Sequence, residues 1–214
     1  PLLGSELNVV RSEGGRFDHL LLLASTEEGY KNLVKLVSLG HSDAASIDGP
    51  SITLDTVAQY SKGLVALSGC MGGIVPQQIL EYGAAAGTKM LGRLKEIFEP
   101  GHLFVQLADH GIVAQPILNE LLVKSSRDLE LPIVATNAVH FMNRDDAAAQ
   151  FYLECVRRGR TYEESLPTHH GSSEMFLKSA EEMAAAFPTL PEALSNTLRV
   201  AEMCSGLKLK LGTP

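Results

Sequence analysis

Strand-like and helix-like segments alternate four times along the first 160 residues of the chain, with short connections between them. Such alternation is typical of βαβ units, in which each helix packs against the sheet formed by its neighbouring strands. We therefore predict an α/β fold on a mainly parallel sheet, with sites beyond the carboxyl ends of the strands. The predicted strands cover Leu2 to Val10, His19 to Ala24, Gly63 to Leu67, Leu103 to Leu107 and Pro132 to Thr136.

The helices are marked by capping signals and by apolar residues at helical spacing. Ser25 and Glu28 have the spacing of a capping box, as do Ser179 and Glu182, and such boxes satisfy free amides in the first turn of a helix. Pro191 suits the first turn of a last helix. The predicted helices cover Ser25 to Gly40, Asp55 to Tyr60, Val75 to Glu81, Ala84 to Phe98, Ala114 to Leu129, Asn143 to Arg158, Met183 to Phe187 and Pro191 to Cys204.

The composition limits the class of protein. The chain carries 18 lysines and arginines against 25 aspartates and glutamates, a formal net charge of −7. This balance excludes a freely basic DNA-coating protein but is compatible with one acidic part of a larger DNA enzyme. Three cysteines, an odd number, argue against a disulfide framework and for a reducing cytoplasm. No apolar run approaches the ~20 residues that cross a bilayer, so we expect a cytoplasmic protein with no membrane partner.

Four possible metal ligands fall within the predicted strands or just beyond them. Glu6 lies in the first strand and His19 opens the second, while Cys70 and His140 follow the third and the last. Carboxylate, imidazole and thiolate groups together suit a borderline metal such as zinc. Because these residues belong to separate strands, they converge only if the sheet curls into a barrel.

Each candidate also has a purely structural interpretation. A lone histidine at a strand end is more often a hydrogen-bonded structural residue than a ligand, and Cys70 alone reads as a small buried apolar group. Asp109, His110 and Gly111 look catalytic, but aspartate and glycine are ordinary turn formers. The remaining histidines and cysteines of interest read as a solvated loop (His169, His170) or as core (Cys155, Cys204).

A series of short motifs occurs in an order that matches a known family. In chain order they are Gly4-Ser-Glu6, His19 to Ala24, Glu28 to Leu33, Leu36 to Ser38, Ser68-Gly-Cys70 with Pro76, Asp109-His-Gly111 with Gln115, Ala135-Thr-Asn137 with Val139-His140, Phe176 to Ser179, Glu181 to Met183, Phe187, Pro191 to Leu194 and Asn196-Thr197. Together they resemble the polymerase and histidinol phosphatase (PHP) domain at the amino terminus of bacterial DNA polymerase III alpha subunits, the C-family replicative polymerases.

The resemblance implies a distorted (β/α)7-type barrel with a metal cluster at the strand ends. It also implies two regions. Residues 1–160 would form the PHP barrel, and residues 161–214 would form a linker and helices that lead into the polymerase palm and thumb. The family's opening strands, with a His-x-His motif and a further histidine, would precede Pro1, so the chain resembles an N-terminally truncated fragment with an incomplete barrel.

By resemblance, Glu6, His19, Cys70 and His140 match metal positions of the family, where zinc or manganese would bind. One departure concerns the segment before the last histidine, which reads Asn-Asp-Val-His in the family and Asn137-Ala138-Val139-His140 here. Alanine has no donor oxygen, so one bridging carboxylate is lost along with the opening motif. We therefore expect a degenerate site, no catalytic residue in this fragment, and little or no phosphoesterase or proofreading activity.

The resemblance also implies a nucleotidyltransferase parent that carries out DNA-directed DNA synthesis in chromosome replication. Polymerisation needs carboxylates that hold two divalent metal ions, here magnesium, and these would lie beyond Pro214. The implied partners are DNA and deoxynucleoside triphosphates, through the parent polymerase, and other subunits of the holoenzyme.

Three hypotheses follow from the sequence. The first is a degenerate PHP domain that acts as a structural and docking platform, supported by Ala138 and by the polymerase-like tail. The second is an active metal-dependent phosphoesterase or proofreading exonuclease of the same superfamily, favoured by the four retained ligand types. The third is a stand-alone βα-barrel binding module unrelated to replication.

Overall fold

The computed structural model describes residues 2–10, 16–42, 49–165 and 172–208, so the predicted His169-His170 loop lies outside the described residues. The strands are β1 (Gly4–Val10), β2 (Phe17–Ala24), β3 (Ile52–Thr53), β4 (Leu64–Leu67), β5 (Leu103–Ala108) and β6 (Ile133–Thr136). The helices are α1 (Glu27–Ser42), α2 (Leu54–Gln59), α3 (Ile74–Tyr82), α4 (Ala84–Ile97), α5 (Gln115–Asp128), α6 (Ala147–Arg158), α7 (Tyr162–Ser165), α8 (Ala180–Ala186) and α9 (Pro191–Ser205).

The six strands form one sheet in the order β3-β1-β2-β4-β5-β6. Only β2 runs against its two neighbours, and the other five strands share one direction. The predicted α/β fold with a mainly parallel sheet is therefore confirmed. The sheet is open rather than closed, which is consistent with a distorted PHP-type barrel. The reversal of β2 was not predicted.

The sheet presents two apolar faces to two separate cores. Along β1 and β2, Leu7, Val9, Leu20 and Leu22 are buried on the face that packs against the helices. This larger core draws most of its helical residues from α1 to α5 and one, Ala193, from α9. The residues from α1 to α5 include Leu33, Leu36, Val57, Ile79, Leu91, Leu94 and Leu122. None of the described helices combines the length and apolar character that crossing a bilayer requires.

The second face of the sheet is covered by α9. Val200 and Cys204 of this helix pack on Val65, Phe104 and Val134. The Asn196 side chain donates a hydrogen bond to the backbone oxygen of Ile133, at 2.8 Å. Burial raises the pKa of the Cys204 thiol, as expected for a core cysteine. The polymerase-like tail of the sequence is thus packed onto the sheet, whereas the predicted domain boundary at residue 160 stays a prediction.

The two predicted capping boxes have different outcomes. Ser179 and Glu182 form the box at the start of α8, with the Glu182 amide donating to Ser179 Oγ at 3.2 Å. The box predicted at Ser25 is wrong, because Ser25 Oγ donates to the backbone oxygen of Gly63 at 2.8 Å. Thr26 caps α1 instead, and its hydroxyl accepts from the Gly29 amide at 3.0 Å.

The first turn of α1 touches the turn that leads into β4. A Cβ added to Gly29 would lie 1.8 Å from the backbone oxygen of Gly63. Gly63 itself has a φ of 70°, a left-handed conformation that side chains other than hydrogen disfavour. The two glycines therefore let helix and turn approach at a distance that no larger pair would allow.

We expect Gly29→Ala to lower the free energy of unfolding by about 2–3 kcal/mol, because the new methyl group overlaps backbone atoms that cannot move aside. Gly92→Ala in α4 is the matched control, since nothing lies within 4 Å of the added Cβ there. That change should raise stability by roughly 0.5–1 kcal/mol through helix propensity. Urea unfolding followed by circular dichroism measures both, and equal effects would contradict the close contact.

Candidate functional site

The side chains of Glu6 and His19 are in contact across adjacent strands. His19 lies opposite Asn8 in the register of β1 and β2, so Glu6, two residues before Asn8, is its diagonal neighbour on the same face. The distance between His19 Nδ1 and Glu6 Oε1 is 3.0 Å, and the two side chains are 36% and 51% exposed. The structure therefore brings two of the four predicted ligands into contact.

The turn that carries Cys70 packs against His19. The His19 amide donates to the backbone oxygen of Gly72 at 2.9 Å, and His19 forms an isolated β-bridge with Gly73. Gly69 has a φ of 86° and lies against Gly73, which closes the turn tightly. Half-buried Cys70 is thereby held in a turn that packs against the backbone of His19 in β2.

His140 follows a different strand from the other three predicted ligands. That strand is β6, which is the third strand from β2 in the order of the sheet. Its amide donates to the backbone oxygen of Met175 at 2.8 Å, which fixes the backbone, while the side chain is exposed. The predicted four-residue ligand set stays a prediction.

The donor set does not fit a metal ion as it stands. In the described parts of the chain, no three His, Cys, Asp or Glu side chains lie close enough to hold one together. A zinc ion takes three or four protein ligands, whereas the Glu6–His19 pair offers two. We therefore assign no chemical step to a metal in this arrangement.

The backbone of Ala138 is held by His110, a buried residue whose sequence context allows either a catalytic role or a turn. The Ala138 amide donates to His110 Nε2 at 3.1 Å, and His110 is only 3% exposed. Gln115 Oε1 accepts from the His110 amide at 2.8 Å, and Gln115 Nε2 lies 3.0 Å from His110 Nδ1. His110 thus ties the loop after β5 to the loop that carries His140.

The sequence around His110 was compatible with this contact but also with an ordinary turn. The Asp109 carboxylate accepts from the Gly111 amide at 2.9 Å, and Gly111 has a φ of 70°, so these two residues make the turn that their types predict. The histidine between them points inward. Gln115, the first residue of the following helix, is the partner that would have identified His110 as buried.

His110 is held in its neutral form. Burial lowers its pKa, and the nearby positive charge of Lys178 lowers it further, against the opposing effect of Asp109. A ring nitrogen that accepts from the Ala138 amide must also be unprotonated. The hydrogen-bond geometry and the lowered pKa therefore both indicate a neutral His110.

A charged cluster lies beside the His140 loop. The Lys178 side chain is 4% exposed, and its ammonium lies 3.5 Å from Glu174 Oε2. Arg144 also pairs with Glu174, and both cations lie over the Phe176 ring, at 4.8 Å for Arg144 and 4.6 Å for Lys178. Glu174 offsets one of the two positive charges, and the net positive charge that remains disfavours the addition of a divalent cation close by.

Two side-chain oxygens near the ends of β5 and β6 are buried without a donor from the described residues. They belong to Gln106 and Asn137. Gln106 Nε2 donates to Thr136 Oγ1 at 2.7 Å, and Asn137 Nδ2 donates to the backbone oxygen of Phe176 at 2.6 Å. The amide nitrogens thus fix both side chains and leave their oxygens available to a donor such as a water molecule.

We expect the protein to lose stability as the pH falls below about 6.5, with His110 as one cause. Below that value the unfolded chain protonates this histidine, whereas the lowered pKa keeps it neutral in the folded protein. In His110→Gln this component should disappear, because an amide does not titrate. Urea unfolding at pH 7.5, 6.5 and 5.5 measures it.

The matched control is His102→Gln at a half-buried histidine of the same chain, which should keep the pH dependence of the unchanged protein. An identical slope of stability against pH in His110→Gln and in the unchanged protein would show that His110 is not held neutral.

Comparison with known proteins places this geometry in context. The chain matches the PHP domain family over residues 1–110. It is 39% identical over 196 residues to the DNA polymerase III subunit alpha of Borreliella burgdorferi, which covers 92% of this chain and 17% of that protein. The corresponding subunit of Treponema pallidum is 32% identical over 217 residues, covering 95% of this chain and 18% of the relative.

A second kind of relative carries a different name. The error-prone DNA polymerase of Symbiobacterium thermophilum is 32% identical over 219 residues, covering 95% of this chain and 20% of that polymerase. The chain therefore spans about a fifth or less of the length of these relatives, although they match nearly all of it.

Proposed function

The chain belongs to the PHP domain family, and we propose that it is the PHP portion of a bacterial replicative DNA polymerase, where it serves as a structural and docking platform. In this proposal, DNA synthesis is carried out in the cytoplasm by residues of the parent polypeptide outside these 214. Magnesium, DNA and deoxynucleoside triphosphates bind there, and other replication subunits assemble with the parent.

The observation that carries the platform role is the state of the Ala138 loop. Where the family pattern would place a carboxylate, the Ala138 backbone is bonded to a neutral, buried histidine. The same loop carries His140 with an exposed side chain. A loop fixed in this way supports the elements on either side of it, which favours the platform role.

One observation favours the second candidate, an active metal-dependent phosphoesterase or proofreading exonuclease. Metal dependence is general among PHP domains, and the contact between Glu6 and His19, with Cys70 on the adjoining turn, is a partial set of suitable donors. Zinc or manganese would be the metal on this alternative. The stand-alone binding module has no comparable support, since the relatives are polymerases.

The two candidates give different results with the full-length polypeptide. If the domain is a platform, the double substitution Glu6→Ala with His19→Ala leaves primer extension in magnesium within about twofold of the unchanged protein. The unchanged protein should also release neither phosphate nor 3′ nucleotides when zinc or manganese is added. Metal-dependent hydrolysis that is lost in His140→Ala would establish the second candidate and remove the platform role.

We further expect Ala138→Asp in the full-length polypeptide to increase affinity for zinc or manganese by about tenfold or more, since it restores an anionic oxygen donor next to His140. The comparison variant is Ala85→Asp on the exposed side of α4, which should leave metal affinity unchanged. Equilibrium dialysis against each metal measures the change. Equal affinities in the two variants would mean that the lost carboxylate is not what weakens the site.

A further inference from the structure

Helix α6 has two apolar sides, and only one of them is buried. Phe151 and Cys155 are buried at 6% and 5% exposure. Tyr152, Leu153 and Val156 are 56%, 64% and 78% exposed. Three large apolar side chains within five residues of one helix are a patch rather than scattered surface residues.

The exposed residues are not an extension of the buried side. At 100° per residue, Leu153 points about 200° away from Phe151 and Val156 about 140° away. Tyr162 of α7 stacks on Tyr152 with ring centroids 5.2 Å apart and so covers one edge of the patch. Leu153 and Val156 remain open on the far side of the helix.

The patch is bordered by positive charge in an acidic chain. Arg157, Arg158 and Arg160 are all exposed, although the chain carries a net charge of −7. Arg158 pairs with Glu154 at 3.5 Å on the other side of the helix. Arg157 lies about 40° around the helix from Leu153, so its guanidinium flanks the apolar residues. An occupant of this surface is favoured if it carries carboxylates.

The area of the patch indicates whether it would bind a separate protein or a segment of the same polypeptide. Its apolar area is on the order of 300–400 Å², comparable to the largest patches on monomeric proteins. A stable interface between separate proteins buries about 800 Å² on each side. A segment of the same polypeptide needs less area, because its tether supplies an effective concentration in the millimolar range.

We propose that this surface, formed by Tyr152, Leu153, Val156, Arg157 and Arg160 and here called the α6 surface, docks an acidic and apolar segment of the same polypeptide beyond residue 214. The inference rests on the proposed function, in which this chain is one part of a polymerase. The matched relatives supply the necessary length, since the chain spans only 17% and 18% of the first two.

Protection of a cysteine introduced into the α6 surface tests the docking. Leu153→Cys is made in the full-length polypeptide, with Ile117→Cys and Leu198→Cys as controls of nearly equal exposure, 64% against 65% and 67%. The rate at which a charged maleimide labels each cysteine is measured by peptide mass spectrometry. Each rate is divided by the rate for the same cysteine in urea, which corrects for its intrinsic reactivity. We expect Leu153→Cys to react at least tenfold more slowly than both controls. Equal rates would overturn the proposal.

Charge reversal tests the acidic character of the occupant. Arg157→Glu with Arg160→Glu, added to Leu153→Cys, should raise its labelling at least fivefold. Lys35→Glu with Lys89→Glu, two exposed lysines on other helices, is the charge-matched control and should leave labelling unchanged. Labelling that stays slow after the arginine reversal would overturn an acidic occupant.

A photo-crosslinking amino acid in place of Val156 identifies what covers the patch. Crosslinks within one polypeptide to residues beyond 214 are expected. Crosslinks to a second copy, to another protein or to residues 1–214 would overturn the proposal. Primer extension by the same preparations distinguishes failure of the docking inference from failure of the proposed function. If the polypeptide extends primers but Leu153→Cys is labelled as fast as the controls, only the docking inference is wrong. If the polypeptide does not extend primers, the proposed function is wrong.

Discussion

The pairing of β2 with β1 on one side and β4 on the other is the constraint on which the rest of the structure depends. Backbone hydrogen bonds hold β2 along its length, and its side chains alternate between the two cores. A shift of register by one residue would move Leu20 and Leu22 out of the larger core and turn His19 toward the helices. The contact between Glu6 and His19 therefore exists only because the cores fix this register.

The candidate site contains two sets of contacts that differ in strength, one near β2 and one near β6. Near β2, the half-exposed side chains of Glu6 and His19 are in contact, and the tight glycine turn that carries Cys70 packs against the backbone of His19. Near β6, the buried neutral His110 bonds the Ala138 backbone and fixes the next loop. Exposed ion pairs contribute little free energy, whereas breaking a buried hydrogen bond leaves unsatisfied groups. The second set of contacts thus controls where His140 lies, which favours a platform over a closed metal site.

Much of the fold was predictable, and the errors have local causes. The apolar runs located β2, β4, β5 and β6 to within a few residues, because short buried strands need continuous apolar sequence. The two-residue β3 carries no such run and was missed. The cap of α1 was placed at Ser25 instead of Thr26, because both residues have hydroxyls and only the contact of Ser25 with Gly63 distinguishes them. The sequence left His110 between a catalytic role and a turn, because its burial depends on tertiary contacts with Gln115 and with the Ala138 backbone.

The sequence by itself determined the class of fold and most of the elements, since periodicity and residue chemistry are local properties. The missing oxygen at Ala138 follows from the resemblance of the sequence to the family pattern. Only the tertiary structure decided the direction of β2, the packing of α9 on the second face and the contact between Glu6 and His19. An apolar run is equally buried in either direction, so it cannot encode strand polarity. Which side chains meet depends on strand order and register, which are fixed by contacts between residues far apart in the chain.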